Sequence, residues 1–283
     1  MPTAEEQPAD PRAAATRILR WKQGLLGQAA NDSLAREEPL EIRVKGESVA
    51  VTMRTPGHDE ELALGFLLSE GVIAGPSDVL EVARCQQGEA ALHGNVLNVF
   101  LAPKVVIDLA KLRRNVYASS SCGLCGKASI ESVHAHFEPL AKREPVIAAE
   151  SILQLPDKLR AGQETFEKTG GLHAAGLFDA EVNLLTLRED VGRHNAVDKV
   201  LGRSMLDGAF PLENHLLMVS GRASFEIMQK ALAGRVGVIC AVSAPSSLAV
   251  EFAQESGQTL VGFLRGDTFN VYSHPERITG LVS

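Results

Sequence analysis

Apolar and polar residues alternate through LEIRVKGESVAVTMRT on both sides of Lys45-Gly46-Glu47, the pattern of a β-hairpin with one buried face. The next stretch, TPGHDEELALGFLLSEGVI, changes period and predicts a helix whose Leu64, Phe66, Leu67 and Leu68 face the core. Asp59, Glu60 and Glu61 suit the positive end of its dipole, and Gly71 stops it. Further strands are expected at Val79 to Arg84 and Val96 to Leu101, so the N-terminal region reads as mixed α+β. Apolar spacing without Gly or Pro predicts a short helix from Ala128 to Phe137.

After about residue 170, strands alternate with helices: HAAGLFDA, VNLLTLRE, NAVDKVLGRSML, HLLMVS, ASFEIMQKALAG, VGVICAVSA, SSLAVEFAQESG and TLVGFLRG. LLMVS and VGVICAVSA are continuous apolar runs, as in strands buried on both faces, whereas Phe225, Met228 and Leu232 share one face of a helix. This is α/β architecture with crossover helices. The expected division is a flexible tail over 1–16, an N-terminal α+β region over 17–115, a mobile Cys-x-x-Cys loop over 116–127 and an α/β domain over 128–283.

Composition narrows the functions. A net charge of -7 argues against a broad nucleic-acid surface, which needs excess Lys and Arg. No apolar run approaches the roughly 18 residues of a membrane helix, and the first residues are acidic and proline-containing where a signal peptide is basic and then apolar. A cytoplasmic protein is expected. Four cysteines in 283 residues are too few for a disulfide framework.

Two of them, Cys122 and Cys125, stand among small residues in SSSCGLCGK. A structural zinc site needs four ligands, and no second Cys-x-x-Cys is present, although His134 and His136 leave a Cys2His2 site open. A deaminase-type zinc site wants His-x-Glu with Pro-Cys-x-x-Cys; His58-Asp59-Glu60 supplies the first, but Ser121 replaces the proline. The third reading is a reactive thiol. The dipole of the following helix contributes about 0.3–1 kcal/mol toward thiolate, less than one pKa unit, and Lys127 acts in the same direction. Cys85 and Cys240 sit in apolar runs and read as packing residues.

Candidate ligand residues cluster where strands end. Gly221-Arg222 follows LLMVS, and Ala244-Pro245-Ser246-Ser247 follows VGVICAVS, each entering a helix, so Arg222, Ser246 and Ser247 suit an anion. Neither a Walker loop nor Gly-x-Gly-x-x-Gly occurs. REDVGRHNAVDKV packs Arg188, Glu189, Asp190, Arg193, His194, Asn195, Asp198 and Lys199 together, which reads as a pocket wall rather than a capped helix start. Gly170, Gly171 and His173 offer close backbone approach to a ligand, or a tight turn. Arg265-Gly266-Asp267 is a turn between two strands, structural or functional with equal merit.

Six blocks in this order, RTPGHDEELALGFLLSEGVI, SSCGLCGKASI, TGGLHAAGL, REDVGRHNAVDKV, SGRASFEIMQKA and TLVGFLRGDTFNVYSHPERI, resemble the formate dehydrogenase accessory sulfurtransferase family (FdhD), from about residue 40 to the end. The resemblance implies a C-terminal cytidine-deaminase-like α/β sheet beside a smaller N-terminal α+β region. It implies a sulfurtransferase that takes sulfur from a cysteine desulfurase as a persulfide and passes it to molybdenum or tungsten bis(molybdopterin guanine dinucleotide). Formate dehydrogenase is then the acceptor, and a homodimer is expected. Carried over by position, Cys122 is the persulfide residue and Cys125 its neighbour, and Phe263, Leu264, Arg265, Gly266, Asp267 and Thr268 bind the cofactor, a site a guanine nucleotide is also expected to occupy. Arg222, Ser246, Ser247 and His194 are expected to complete that site, with no resident metal. Two rivals remain at this point: a cofactor-carrying chaperone without sulfur chemistry, and a dithiol-disulfide oxidoreductase.

Overall fold

A computed structural model describes residues 10–86, 94–107, 130–131, 133–141 and 144–281. Cys122, Cys125, Lys127 and the start of the helix expected from Ala128 lie outside the described residues. Further along that expected helix, Ala135 N–H donates to Glu131 O at 3.0 Å and Phe137 N–H to Val133 O at 2.8 Å.

The chain opens with a two-stranded antiparallel ribbon, β1 (Ala13–Lys22) and β2 (Leu25–Ala35). The tail expected over 1–16 is therefore corrected from Ala13 onward: these residues pair in register with β2, Ala13 opposite Ala35 and Thr16 opposite Asp32. The hairpin expected next is β3 (Glu38–Val44) and β4 (Glu47–Arg54). Its two-residue turn places Lys45 at φ 53° and Gly46 at φ 79°, the left-handed pair that matches strand twist. Helix α1 (Asp59–Ser69) follows, then β5 (Val79–Arg84) and β6 (Val96–Leu101). They form a four-stranded sheet in the order β4-β3-β6-β5.

A short β7 (Ile147–Ala148) precedes three small helices, α2 (Ala149–Ile152), α3 (Leu155–Ala161) and α4 (Glu164–Thr169). The expected α/β alternation then appears as β8 (His173–Phe178), β9 (Leu184–Asp190), α5 (Arg193–Leu206), β10 (Leu216–Val219), α6 (Phe225–Ala233), β11 (Val238–Ala241), α7 (Ser247–Glu255) and β12 (Thr259–Arg265). β13 (Thr268–Ser273) and β14 (Ile278–Thr279) close the chain, β14 pairing with β7. The six-stranded sheet runs β13-β12-β11-β10-β8-β9, with β10, β11 and β12 parallel and the outer strands antiparallel.

Both faces of this sheet are covered, which explains the continuous apolar runs. In β10, Leu217 and Val219 join one core while Leu216 and Met218 join the other. The first core also contains Leu40, Ile42, Leu64 and Leu67, so the N-terminal sheet and the C-terminal α/β layer share one interior. Ile107 and Ile130, which flank residues 108–129, both pack into it. No helix among the described residues is long and apolar enough to cross a membrane.

Polar residues read as a pocket wall are mostly the joint between these layers. Arg188 reaches back to Glu61 at 2.8 Å, and Lys199 donates to Thr55 O at 2.9 Å while pairing with Asp190 at 2.7 Å. Lys230 and Ser69 both bond Asp198, at 2.8 and 2.7 Å. Glu189 accepts from the N–H groups of Thr165 and Phe166 at the start of α4. Expected at the positive end of a helix dipole, Asp59 and Glu61 are also buried and paired, Asp59 with Arg54 and Arg84.

Burial pushes the Glu61 carboxyl up, but the Arg188 guanidinium, aided by His58, more than reverses this and holds it at about 2. A carboxyl depressed in the fold stabilises it above its unfolded value of 4.5 and loses that contribution as the pH falls toward 2. Glu61→Gln is expected to flatten the pH dependence of the unfolding free energy over that window, measured by urea titration at stepped pH. An unaltered slope would remove Glu61 from this role.

Candidate functional site

Parallel strands deliver their C-terminal ends to one edge, and here β10, β11 and β12 run side by side. The loops after β10 and β11 are bonded to each other, and the second is bonded to β12. Ala223 bridges Pro245, Ser246 N–H donates to Ala223 O at 3.0 Å, and Phe263 N–H donates to Ser243 O at 3.2 Å. Antiparallel pairing of β8 with β10 brings the start of β8 to the same edge, where Ala174 N–H donates to the Ser220 hydroxyl at 2.9 Å. His173 lies against Gly221, and the Arg193 side chain passes over the same glycine.

A cavity of about 620 Å³ opens here, within the roughly 300–1,000 Å³ of small-molecule sites. One side is formed by the strand ends: His173, Ser220, Val242, Leu264, Arg265 and Gly266. The other side comes from α3, α4 and the loop after them, including Asp157, Arg160, Gln163, Phe166, Gly170 and Gly171. Two guanidinium groups and three glycines thus surround the space, a composition suited to a flat anionic ligand approaching backbone closely.

Of the expected site residues, Leu264, Arg265 and Gly266 line the cavity. Phe263 sits beside them at φ 52°, a left-handed conformation that is costly for an aromatic residue, and its ring lies 5.6 Å from the Arg265 guanidinium. The strain coincides with a break in the β12–β13 register between Gly262 and Arg265, which leaves Phe263 and Leu264 without ladder partners before Arg265 pairs with Thr268. Asp267 and Thr268 are exposed at the turn. Arg222 is exposed on the loop after β10, one residue beyond Gly221. The Ser246 hydroxyl is used as a helix cap, accepting from Ala249 N–H at 3.2 Å, and Ser247 is exposed beside it; neither lines the cavity.

His194 bonds Ser224 through Nε2 at 3.1 Å, with Glu226 3.8 Å away. Burial, reinforced by the Lys230 and Arg193 charges and opposed by Glu226, pushes His194 down to about 4. Burial and then Arg193 push His173 down as well. Both shifts favour the neutral imidazole, which can take part in hydrogen bonds without carrying charge.

Cys240 is fully buried, and desolvation pushes its thiol up to about 12, so it is packing, as expected. Cys85 is half-buried just after β5. His134 stacks on Phe252 and bonds Ser256 at 2.8 Å, and no group of metal-binding side chains occurs among the described residues. Sequence reasoning missed Arg160, Gln163 and Phe166, because two helices of seven and six residues show no periodicity to mark their inward face.

A family model described as the FdhD/NarQ family matches residues 35–279. The chain is 50% identical over 268 residues to the sulfur carrier protein FdhD of Streptomyces coelicolor, covering 93% of this chain and 94% of that one. It is 52% identical over 255 residues to the protein of the same name from Mycobacterium tuberculosis, covering 88% and 92%. Among solved structures it is similar to a protein of Desulfotalea psychrophila described as a formate dehydrogenase accessory protein, with TM-score 0.74, 27% identity and coverage of 95% and 100%.

Proposed function

Because the chain belongs to the FdhD/NarQ family, we propose that it is a cytoplasmic sulfur carrier for formate dehydrogenase. In this reading Cys122 accepts sulfur from a cysteine desulfurase, and the substrate that receives it, molybdenum or tungsten bis(molybdopterin guanine dinucleotide), lies in the cavity at the strand ends. The observation that carries the reading is that Leu264, Arg265 and Gly266, reached independently through the resemblance, line that cavity at the carboxyl ends of parallel strands.

The chemistry follows from the thiols. The Cys122 thiolate attacks the outer sulfur of the donor's persulfide; a new S–S bond forms, and the donor's own S–S bond breaks to release its thiolate. Delivery as sulfide needs two electrons. The Cys125 thiolate supplies them by attacking Cys122 Sγ, so that the terminal sulfur leaves as sulfide and a Cys122–Cys125 disulfide remains for an external dithiol to reduce.

Arg265 is exposed and makes no ion pair among the described residues, so its charge is available to a phosphate. Arg265→Ala is expected to weaken binding of GDP, a fragment of the substrate, by roughly tenfold or more, as loss of a charge-assisted hydrogen bond requires. Isothermal titration checks this. An unchanged dissociation constant would place the phosphates elsewhere.

A further inference from the structure

Residues 13–31 include Arg17, Arg20 and Lys22 and no acidic residue, in a chain whose net charge is -7. They form most of the β1–β2 ribbon. The base of the ribbon is seated on the body: Lys168 of α4 pairs with Asp10 at 3.5 Å, Arg36 N–H donates to Arg12 O at 2.8 Å, and Ala35 lies against Gly171. Thr16 and Ile18 are still half-buried, but every residue from Leu19 to Ala29 is exposed. Gln23 at φ 50° and Gly24 at φ 86° close the tip in the left-handed turn that matches strand twist.

What this tip presents is apolar with a basic collar. Leu19, Trp21, Leu25 and Leu26 are 61–76% exposed, among the most exposed large apolar residues of the chain. Trp21 stands opposite Leu26 and Lys22 opposite Leu25, and successive side chains of a strand point to opposite faces. Trp21 and Leu26 therefore share one face, while Leu25 lies on the other with Lys22. Docking on a protein surface covers one face of a ribbon. A bilayer surface takes in the tip from all sides, and it is where Trp rings settle and where Arg and Lys stems extend toward phosphates.

We propose that the ribbon tip docks on an anionic lipid surface, with Leu19, Trp21, Leu25 and Leu26 in the headgroup layer and Arg17, Arg20 and Lys22 meeting lipid phosphates. The charges match, because a bilayer rich in anionic lipid attracts this basic segment even though the chain as a whole is acidic. Depth is limited by the backbone. A two-stranded ribbon has open edges whose N–H and C=O groups find no partner in hydrocarbon, so the tip enters the interface and goes no deeper. Contact of this kind is peripheral and reversible, and it needs no membrane-spanning helix.

Trp21 is the only tryptophan of the chain, so its fluorescence reports on the ribbon alone. The full chain is titrated with vesicles of phosphatidylglycerol and phosphatidylcholine in equal parts, with vesicles of phosphatidylcholine alone, and with no lipid. With the anionic vesicles the emission is expected to move to shorter wavelength and the chain to sediment with them. Replacing both Arg20 and Lys22 by Gln is expected to weaken vesicle binding by roughly tenfold or more, since each charge near an anionic surface strengthens it about fivefold. Replacing both Leu25 and Leu26 by Ser is expected to weaken it by roughly tenfold or more through lost apolar burial. All four residues are exposed, so the thermal midpoint is expected to hold in both variants. Emission that anionic vesicles leave unmoved, equal binding to phosphatidylcholine alone, or undiminished binding of the Leu25 and Leu26 variant would each overturn the proposal. Emission that moves to shorter wavelength without lipid as the protein concentration rises would overturn it in favour of a second copy covering the tip.

Discussion

Gly65→Ala is expected to lower the unfolding free energy by about 3 kcal/mol or more, although alanine is favoured over glycine by about 1 kcal/mol in a helix. The opposite sign comes from the crossing of α1 and α5. A Cβ at Gly65 would lie 1.9 Å from the Asp198 carbonyl oxygen, and one at Gly202 would lie 1.9 Å from that of Glu61. Each glycine therefore receives the backbone of the other helix one turn before the other glycine. Both obstacles are helix backbone, so neither can swing aside, and the helices must part. Parting them loosens Ser69 from Asp198 and the α5 residue Lys199 from Thr55 as well. The thermal midpoint is expected to fall by roughly 6–12 °C in Gly65→Ala, and similarly in Gly202→Ala. An unchanged or raised midpoint would mean that propensity decides and that the helices are not this close.

Replacing Cys122 by alanine is expected to reduce formate dehydrogenase activation to background in cells that lack their own copy of this protein, read as formate-dependent dye reduction in extracts. The size of the effect follows from the shortage of substitutes. Cys240 is fully buried, desolvation pushes its thiol up and so away from thiolate, and it reaches no partner from inside the sheet. Cys85 follows β5 in the N-terminal sheet and is not among the residues that line the cavity. Serine at position 122 should fail as completely as alanine, because a hydroxyl cannot carry sulfane sulfur. Activation that survives Cys122→Ala, with the chain present at normal level, would mean that the protein delivers the cofactor without carrying sulfur.

Local patterns carried much of the architecture. The Lys45-Gly46 turn, the limits of β5 and β6, and the doubly buried strands β10 and β11 were legible because each is dictated by residues a few positions apart. The ribbon of β1 and β2 was not, since Leu19, Trp21, Leu25 and Leu26 are exposed, and the alternation of burial from Ala14 to Leu19 is not matched by an alternation of apolar and polar residues. REDVGRHNAVDKV was legible as unusual but misread in purpose: Arg188 meets Glu61 and Lys199 meets Thr55, partners far away in sequence that only the fold supplies. The site divides the same way. Leu264, Arg265 and Gly266 came through a motif, whereas Gln163 looks like any exposed glutamine until α3 and α4 close over it.

The central claim is that Cys122 holds sulfur in transit, and intact-protein mass spectrometry tests it most directly. The wild-type chain, Cys122→Ala and Cys125→Ala are each incubated with a cysteine desulfurase and cysteine, and weighed before and after reduction. The account predicts that wild type gains the mass of at least one sulfur atom, that reduction removes it, and that Cys122→Ala gains none. A wild-type protein that acquires no sulfur, or a Cys122→Ala protein that acquires as much as wild type, would contradict it.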